Sequence, residues 1–175
     1  MSLTDSISGD LQAIHAGVDA AQQEAAAVDQ TVEQIAARAA AAGFVGITVG
    51  LARVREAIGQ ARAQLTTVCG VSREASRSIA SVPQQPSPQE TIDALKSVMA
   101  ALSSVDNEIT AAAARIEEAR QLAMTALQGG QPGPTLARLQ QLNQRLAAIR
   151  AREGEARHHA ETALTQAQQV GELGN

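Results

Sequence analysis

The sequence contains no tryptophan, no tyrosine and only one phenylalanine, Phe44. Aromatic side chains on which bases could stack are therefore missing, and a net charge of −4 provides no basic surface for a nucleic acid. No apolar run approaches the roughly 18 residues that a membrane-spanning helix needs. The N-terminal stretch MSLTDSISGD also lacks the basic and apolar regions of a secretory signal. We therefore expect no nucleic-acid partner, no membrane span and no general secretory export.

Cysteine is also scarce, because Cys69 is the only one in the sequence. A single cysteine excludes an internal disulfide and is consistent with a reducing compartment, so we expect a cytoplasmic protein. Cys69 follows Val68 in an apolar stripe, which predicts a small, partly buried thiol. A reactive thiol needs a base or a helix N-terminus that lowers its pKa, and the sequence assigns no such partner. The alternative is a surface thiol that links two chains.

Residue patterns for catalysis or metal binding are few. Glu155 and His159 are four residues apart, a spacing that metal sites on helices use, but the nearby Arg152 and Arg157 favour a solvated surface. His15 is interpreted as a residue that flanks the core. No Gly-x-Ser-x-Gly motif or comparable spacing links a nucleophile to an acid and a base. The sequence thus predicts a protein that is not an enzyme and has no cofactor and no metal site.

Strong helix-forming patterns take the place of these motifs. The chain has only five prolines and is rich in alanine, the best helix former. Apolar or small residues recur at steps of four and three, the 3.5-residue period of a left-handed coiled coil. In the first half of the chain this stripe comprises Ile7, Leu11, Ile14, Val18, Ala21, Ala25, Val28, Val32, Ile35, Ala39 and Ala42, and then Ile47, Leu51, Val54, Ile58, Ala61, Leu65, Val68, Ser72, Ala75, Ile79 and Val82.

The predicted fold is all-α, with two long antiparallel helical hairpins packed as a four-helix bundle or as an elongated coiled coil. The predicted parts are a first hairpin at 1–82 with helices at about 4–42 and 47–82, a linker at 83–90, and a second hairpin at 91–175 with helices at about 88–127 and 134–170. Alanine-rich seams gain little apolar burial per position. We therefore expect a slender bundle of marginal stability whose core another chain could complete.

Helix boundaries follow from capping residues. Gly43 is suited to the left-handed position after a helix, and Pro83 disfavours helical geometry in the residue before it. Ser87, Pro88 and Glu90 form a start signal in which serine is the N-cap, proline occupies the first helical position and glutamate completes a capping box.

The stripe is irregular at two places in the second half. In the third helix the expected apolar position falls on Asp106, and in the fourth helix it falls on Asn143. For Asn143 we favour a slightly rotated helix that turns Leu142 inward. The alternative is a polar residue that sets helix register at a cost in stability.

The stretch AAGFVGITVG holds Phe44 in the turn between the first two helices. One interpretation is an apolar lid, in which Phe44 closes the end of the hairpin with Val45 and Ile47. In that stretch we also expect Gly46 and Gly50 to loosen the entry to the second helix. The other interpretation is a partner anchor, because aromatic residues dominate interface hot spots.

The Phe44–Val45–Gly46 turn, set between helices of about 40 residues, resembles that of the WxG helical-hairpin proteins of type VII secretion. The resemblance covers residues 4–82, with Phe-Val-Gly in place of Trp-x-Gly. It implies that Phe44, Val45 and Gly46 contribute to partner binding and that the helix seams serve dimer packing. The family's export signal contains a tyrosine, which this chain lacks, so the resemblance implies a helper rather than an exported substrate that carries its own signal.

The expected function is that of a non-enzymatic helical interaction protein. The resemblance implies an accessory, chaperone or targeting partner of a type VII-type secreted effector, with a toxin or a second copy of the chain as the partner and a type VII-like export route as an alternative to cytoplasmic residence. The alternative function is a self-assembling coiled-coil scaffold with no export role. In that case Phe44 is a lid, and its replacement lowers stability without changing partners.

Overall fold

The computed structural model describes residues 3–83, 87–130 and 132–173. This part of the chain forms helices α1 (Leu3–Ala41), α2 (Val45–Ala80), α3 (Pro88–Ala126) and α4 (Gly133–Leu173) and contains no strand. The all-α prediction is confirmed, and the observed ends differ from the predicted ones by at most three residues. Residues 84–86 of the predicted linker and Gln131 of the second turn lie outside the described residues.

The four helices form a closed bundle. Helix α1 packs against α2 and α4, and α3 packs against the same two helices. Neighbouring helices are antiparallel, since Asp10 of α1 contacts His159 of α4 whereas Thr31 contacts Arg138. Because α1 and α4 close the ring, the fold is the four-helix bundle and not the elongated coiled coil.

The core follows the predicted stripes. On α1 the side chains from Ile7 to Val32 at the predicted positions are at most 1% exposed. On α2 the buried stripe runs from Leu51 to Ile79. All four helices contribute to one apolar cluster, so a single chain completes its own core. The second hairpin covers the seam of the first, and packing against another chain stays a prediction.

At both irregular positions the helix is rotated so that the neighbouring apolar residue points into the core. Val105 is 1% exposed and takes the core place beside Asp106, and Leu142 is fully buried beside the half-buried Asn143. The prediction that Leu142 points inward is confirmed. Asp106 instead accepts a hydrogen bond from Arg150 Nε at 2.8 Å, which links α3 to α4.

A glutamate occupies one core position of α4. Glu153 continues the apolar stripe of Leu146 and Ile149 toward Ala156. Although it is charged, it is only 4% exposed. Arg157, one turn later, donates to Glu153 Oε1 from Nε at 3.0 Å and from Nη2 at 2.8 Å. A buried carboxylate requires such a partner, because isolated charge is costly to remove from water. This pair was not predicted from the sequence.

The turn between α1 and α2 is a Schellman motif. Gly43 has φ +78°, and its amide donates to Ala40 O at 3.0 Å, while the Phe44 amide donates to Ala39 O at 2.8 Å. These two bonds satisfy carbonyls that the end of α1 would otherwise leave without partners. The predicted role of Gly43 as the helix stop is confirmed.

The start of α3 has the predicted capping box. Ser87 Oγ accepts from the Glu90 amide at 3.3 Å, and Glu90 Oε2 accepts from the Ser87 amide at 2.8 Å and from Ser87 Oγ at 2.9 Å. The bonds donated by Ser87 lower the pKa of the Glu90 carboxyl.

Replacing Ser87 with alanine is expected to lower the free energy of unfolding by about 1 kcal/mol, because the first turn of α3 loses its cap. Ser103→Ala is the matched control, since Ser103 is exposed within the same helix. There alanine should be neutral or slightly stabilising. Urea denaturation of both variants tests the prediction, and equal effects would contradict it.

Candidate functional site

One end of the bundle exposes a group of large apolar side chains. Among the described residues, five large hydrophobic side chains are exposed, and Phe44, Val45, Val49 and Met124 make up four of them, at 58%, 71%, 53% and 43%. All four lie toward the same end of the bundle, because α2 begins and α3 ends there. We refer to these four residues as the apolar end.

The lid interpretation of Phe44 is wrong. More than half of Phe44 and most of Val45 remain exposed, and only Ile47, which is half-buried, packs against the core. The physical reason is that Phe44 follows the left-handed Gly43 and caps α2 with its backbone, so its side chain does not fold over the hairpin. Since the one aromatic residue of the chain is exposed here, the apolar end is a candidate binding surface.

Gly46 lies in the first turn of α2, and a Cβ atom placed there would meet no atom within 4 Å. Packing within the chain therefore does not require glycine at this position. The prediction that Gly50 loosens the helix entry is wrong. Gly50 lies inside α2, and a Cβ atom there would stand 2.6 Å from Ala126 Cβ of α3.

Two members of the apolar end were not predicted from the sequence. Val49 and Met124 fall off the apolar stripes, whose nearest positions are Leu51 and Ala123. A large apolar residue that lies off the stripe of an otherwise regular helix is a signal that could have identified them.

A cluster of polar side chains connects α1 and α2 near the middle of the first hairpin. His15 and Asp19, one turn apart on α1, meet Cys69 of α2. His15 Nε2 lies 3.5 Å from Asp19 Oδ2, and Cys69 Sγ donates to Asp19 Oδ1 at 3.6 Å. One nitrogen, one carboxylate oxygen and the sulfur all lie within 4.8 Å of one another.

The thiol of this cluster is held in its neutral form. Burial raises the pKa of Cys69, and the carboxylate of Asp19 raises it further, while Arg73 acts weakly in the opposite direction. Cys69 is 8% exposed, which agrees with the prediction of a partly buried thiol. A nucleophilic cysteine needs the opposite shift in pKa.

A groove of about 440 Å³ adjoins the cluster, and its lining includes His15, Asp19, Ser72 and Arg73. Ser72 is 1% exposed, and its hydroxyl has no hydrogen-bond partner among the described residues. Other hydroxyls on α2 bond to the carbonyl four residues earlier, as Thr66 and Ser76 do at 3.0 and 2.9 Å. Ser72 therefore presents an unused polar group beside the cluster.

The spacing of Glu155 and His159 does not produce a site. His159 Nδ1 lies 2.7 Å from Asp10 Oδ2 and links α4 to α1, while Glu155 accepts from Arg152 at 2.8 Å. His159 is thus an interhelical contact, which corrects its assignment to a solvated surface.

Residues 86–172, which hold most of α3 and α4, match a family described as "Family of unknown function (DUF6244)". Comparison with curated proteins and with solved structures finds no match. The matched segment leaves out both Phe44 and the His15–Asp19–Cys69 cluster, which belong to the first hairpin. Within the described ranges, none of the helices combines the length and the apolar content that a membrane crossing requires.

Proposed function

We propose that this protein is a non-enzymatic helical interaction protein that binds a protein partner through its apolar end. The observation that carries the proposal is the 58% exposure of Phe44, the one aromatic residue of the chain, beside the exposed Val45 and Val49. Such a group fits the rigid aromatic anchor and apolar surround typical of interface hot spots. Because Phe44, Val45 and Val49 lie within six consecutive residues, we expect a partner that presents an apolar pocket or helix groove.

The seams are buried in the core, so the end of the bundle, rather than the seams, is the proposed binding surface. The seam side chains of α1 and α2 are packed against α3 and α4. A partner helix could reach them only by separating the two hairpins. The apolar end needs no such opening.

In its specific form, the proposal is an accessory, chaperone or targeting partner of a type VII-type secreted effector. The Phe44–Val45–Gly46 turn between two long helices supports it, and so does the open space around Gly46, which lets a partner approach the backbone closely. The protein would reside in the cytoplasm or leave the cell together with its effector. The raised pKa of Cys69 supports the absence of thiol catalysis.

Co-purification from the native source tests the proposal with Phe44→Ala and the matched control Val170→Ala. Val170 is 60% exposed near the other end of the bundle, where it shares a groove with Thr4 and Pro88. We expect a stoichiometric helical or toxin-like partner with wild type and with Val170→Ala, and its loss with Phe44→Ala. Titration of the purified partner against each variant then checks direct binding.

The stability of Phe44→Ala separates binding from folding. Because Phe44 is largely exposed, its replacement should change the free energy of unfolding by no more than about 0.5 kcal/mol. Self-association alone, left unchanged by Phe44→Ala, would favour the scaffold function. A partner that Phe44→Ala retains, or a large loss of stability, would contradict the proposal.

A further inference from the structure

We propose that His15, Asp19 and Cys69 form a binding site for a single Zn²⁺ ion that bridges α1 and α2. This site is independent of the apolar end and of the proposed function. It combines an imidazole nitrogen, a carboxylate oxygen and a thiol sulfur, the three ligand types that zinc sites use.

The distances fit one ion. Ligand atoms bound tetrahedrally to Zn²⁺ at about 2.0–2.3 Å lie about 3.3–3.6 Å from one another. The two oxygens of Asp19 each face one of the other ligands: His15 Nε2 lies 3.5 Å from Oδ2, and Cys69 Sγ lies 3.6 Å from Oδ1. One ligand atom from each of the three residues lies within 4.8 Å of the other two, and binding one ion requires these atoms to move closer together.

The ligand set favours zinc over magnesium or calcium. A thiolate is a soft ligand, and hard cations such as Mg²⁺ and Ca²⁺ select oxygen ligands instead. Cys69 supplies the sulfur from a buried position. On binding, the metal displaces the proton that the thiol now shares with Asp19, and that proton leaves to solvent.

Ser72 provides an observation independent of the three ligands. Ser72 is only 1% exposed and lines the groove beside His15 and Asp19. Its hydroxyl makes no hydrogen bond among the described residues. Three protein ligands leave a fourth position on tetrahedral zinc for water. A water in that position, on the groove side, is a suitable hydrogen-bond partner for the Ser72 hydroxyl.

Titration of the full-length protein with Co²⁺ tests the site. The protein is stripped of metal with a chelator and kept reduced with a phosphine, and Co²⁺ serves as the spectroscopic probe. We expect a thiolate-to-cobalt charge-transfer band that saturates at one ion per chain and disappears when Zn²⁺ is added. Zn²⁺ should also raise the melting temperature, because it binds only the folded arrangement.

Variants identify the ligands. Cys69→Ser should abolish the band, and His15→Gln and Asp19→Asn should each weaken Co²⁺ binding by about tenfold or more, since even outer-sphere changes commonly have effects of that size. His158→Gln is the matched control, because His158 is exposed and remote in sequence, and it should bind as wild type does. Helical circular dichroism verifies that each variant is folded.

Three results would overturn the proposal. The first is the absence of a charge-transfer band with reduced wild-type protein. The second is one ion per two chains, which would indicate a thiol shared between molecules. The third is binding that His15→Gln and Asp19→Asn leave unchanged, which would mean that the lone thiol captures the metal without a built site.

Discussion

Gly50→Ala is expected to lower the free energy of unfolding by about 1–2 kcal/mol, although alanine is the better helix former. The added Cβ atom would stand 2.6 Å from Ala126 Cβ and 3.4 Å from Ala126 Cα. Because the Cβ atom of an alanine is fixed by its backbone, it cannot rotate away, and α2 and α3 must separate locally. Equilibrium urea denaturation of the variant measures the loss.

Gly59→Ala is the matched control within the same helix. A Cβ atom at Gly59 would meet nothing within 4 Å, so this variant should be stabilised by about 0.5–1 kcal/mol. Adding Ala126→Gly to Gly50→Ala should restore the close packing and recover part of the loss. If Gly50→Ala were as stable as Gly59→Ala, the close approach of α2 and α3 would be refuted.

Arg157→Met is expected to lower the free energy of unfolding by about 2–3 kcal/mol. The variant keeps the apolar stem but removes both bonds to the carboxylate of Glu153, whose side chain is 5% exposed. The expected loss lies below that of a fully buried pair, because the Arg157 side chain is 38% exposed and solvent screens it. Urea denaturation at neutral pH measures the effect.

Arg152→Met is the matched control for the same chemistry. Arg152 pairs with Glu155 at 2.8 Å, but both side chains are more than half exposed, so the loss should not exceed about 0.5 kcal/mol. Glu153→Leu should be neutral or stabilising by up to about 2 kcal/mol, because it replaces a buried charge in an apolar stripe. Adding it to Arg157→Met should therefore recover most of the loss. Equal costs for the two arginine variants would contradict the account.

The exposed turn and the metal-ligand cluster differ in how far the sequence could reveal them. Phe44 was identifiable because a lone aromatic in a glycine-flanked turn is visible in one short stretch. Its exposure was not predictable, because the same pattern is compatible with a lid. The direction of the chain after the left-handed Gly43 decides between the two.

The cluster of His15, Asp19 and Cys69 could not be found from spacing. Asp19 and Cys69 are 50 residues apart, and their contact depends on the register of α1 against α2. A shift of one helical turn would separate the groups while preserving both apolar stripes.

The sequence by itself determined the local features, which are the four helices, their stripes, the stop at Gly43 and the capping box at Ser87. These depend on residues within one or two turns of each other, so propensity, periodicity and hydrogen bonding between near neighbours are sufficient. Only the tertiary structure decided that the bundle closes on itself, that Gly50 allows a close helix approach, and that Glu153 is buried against Arg157. Those outcomes depend on which helix faces which, and at what height, and a repeating stripe carries little information about either.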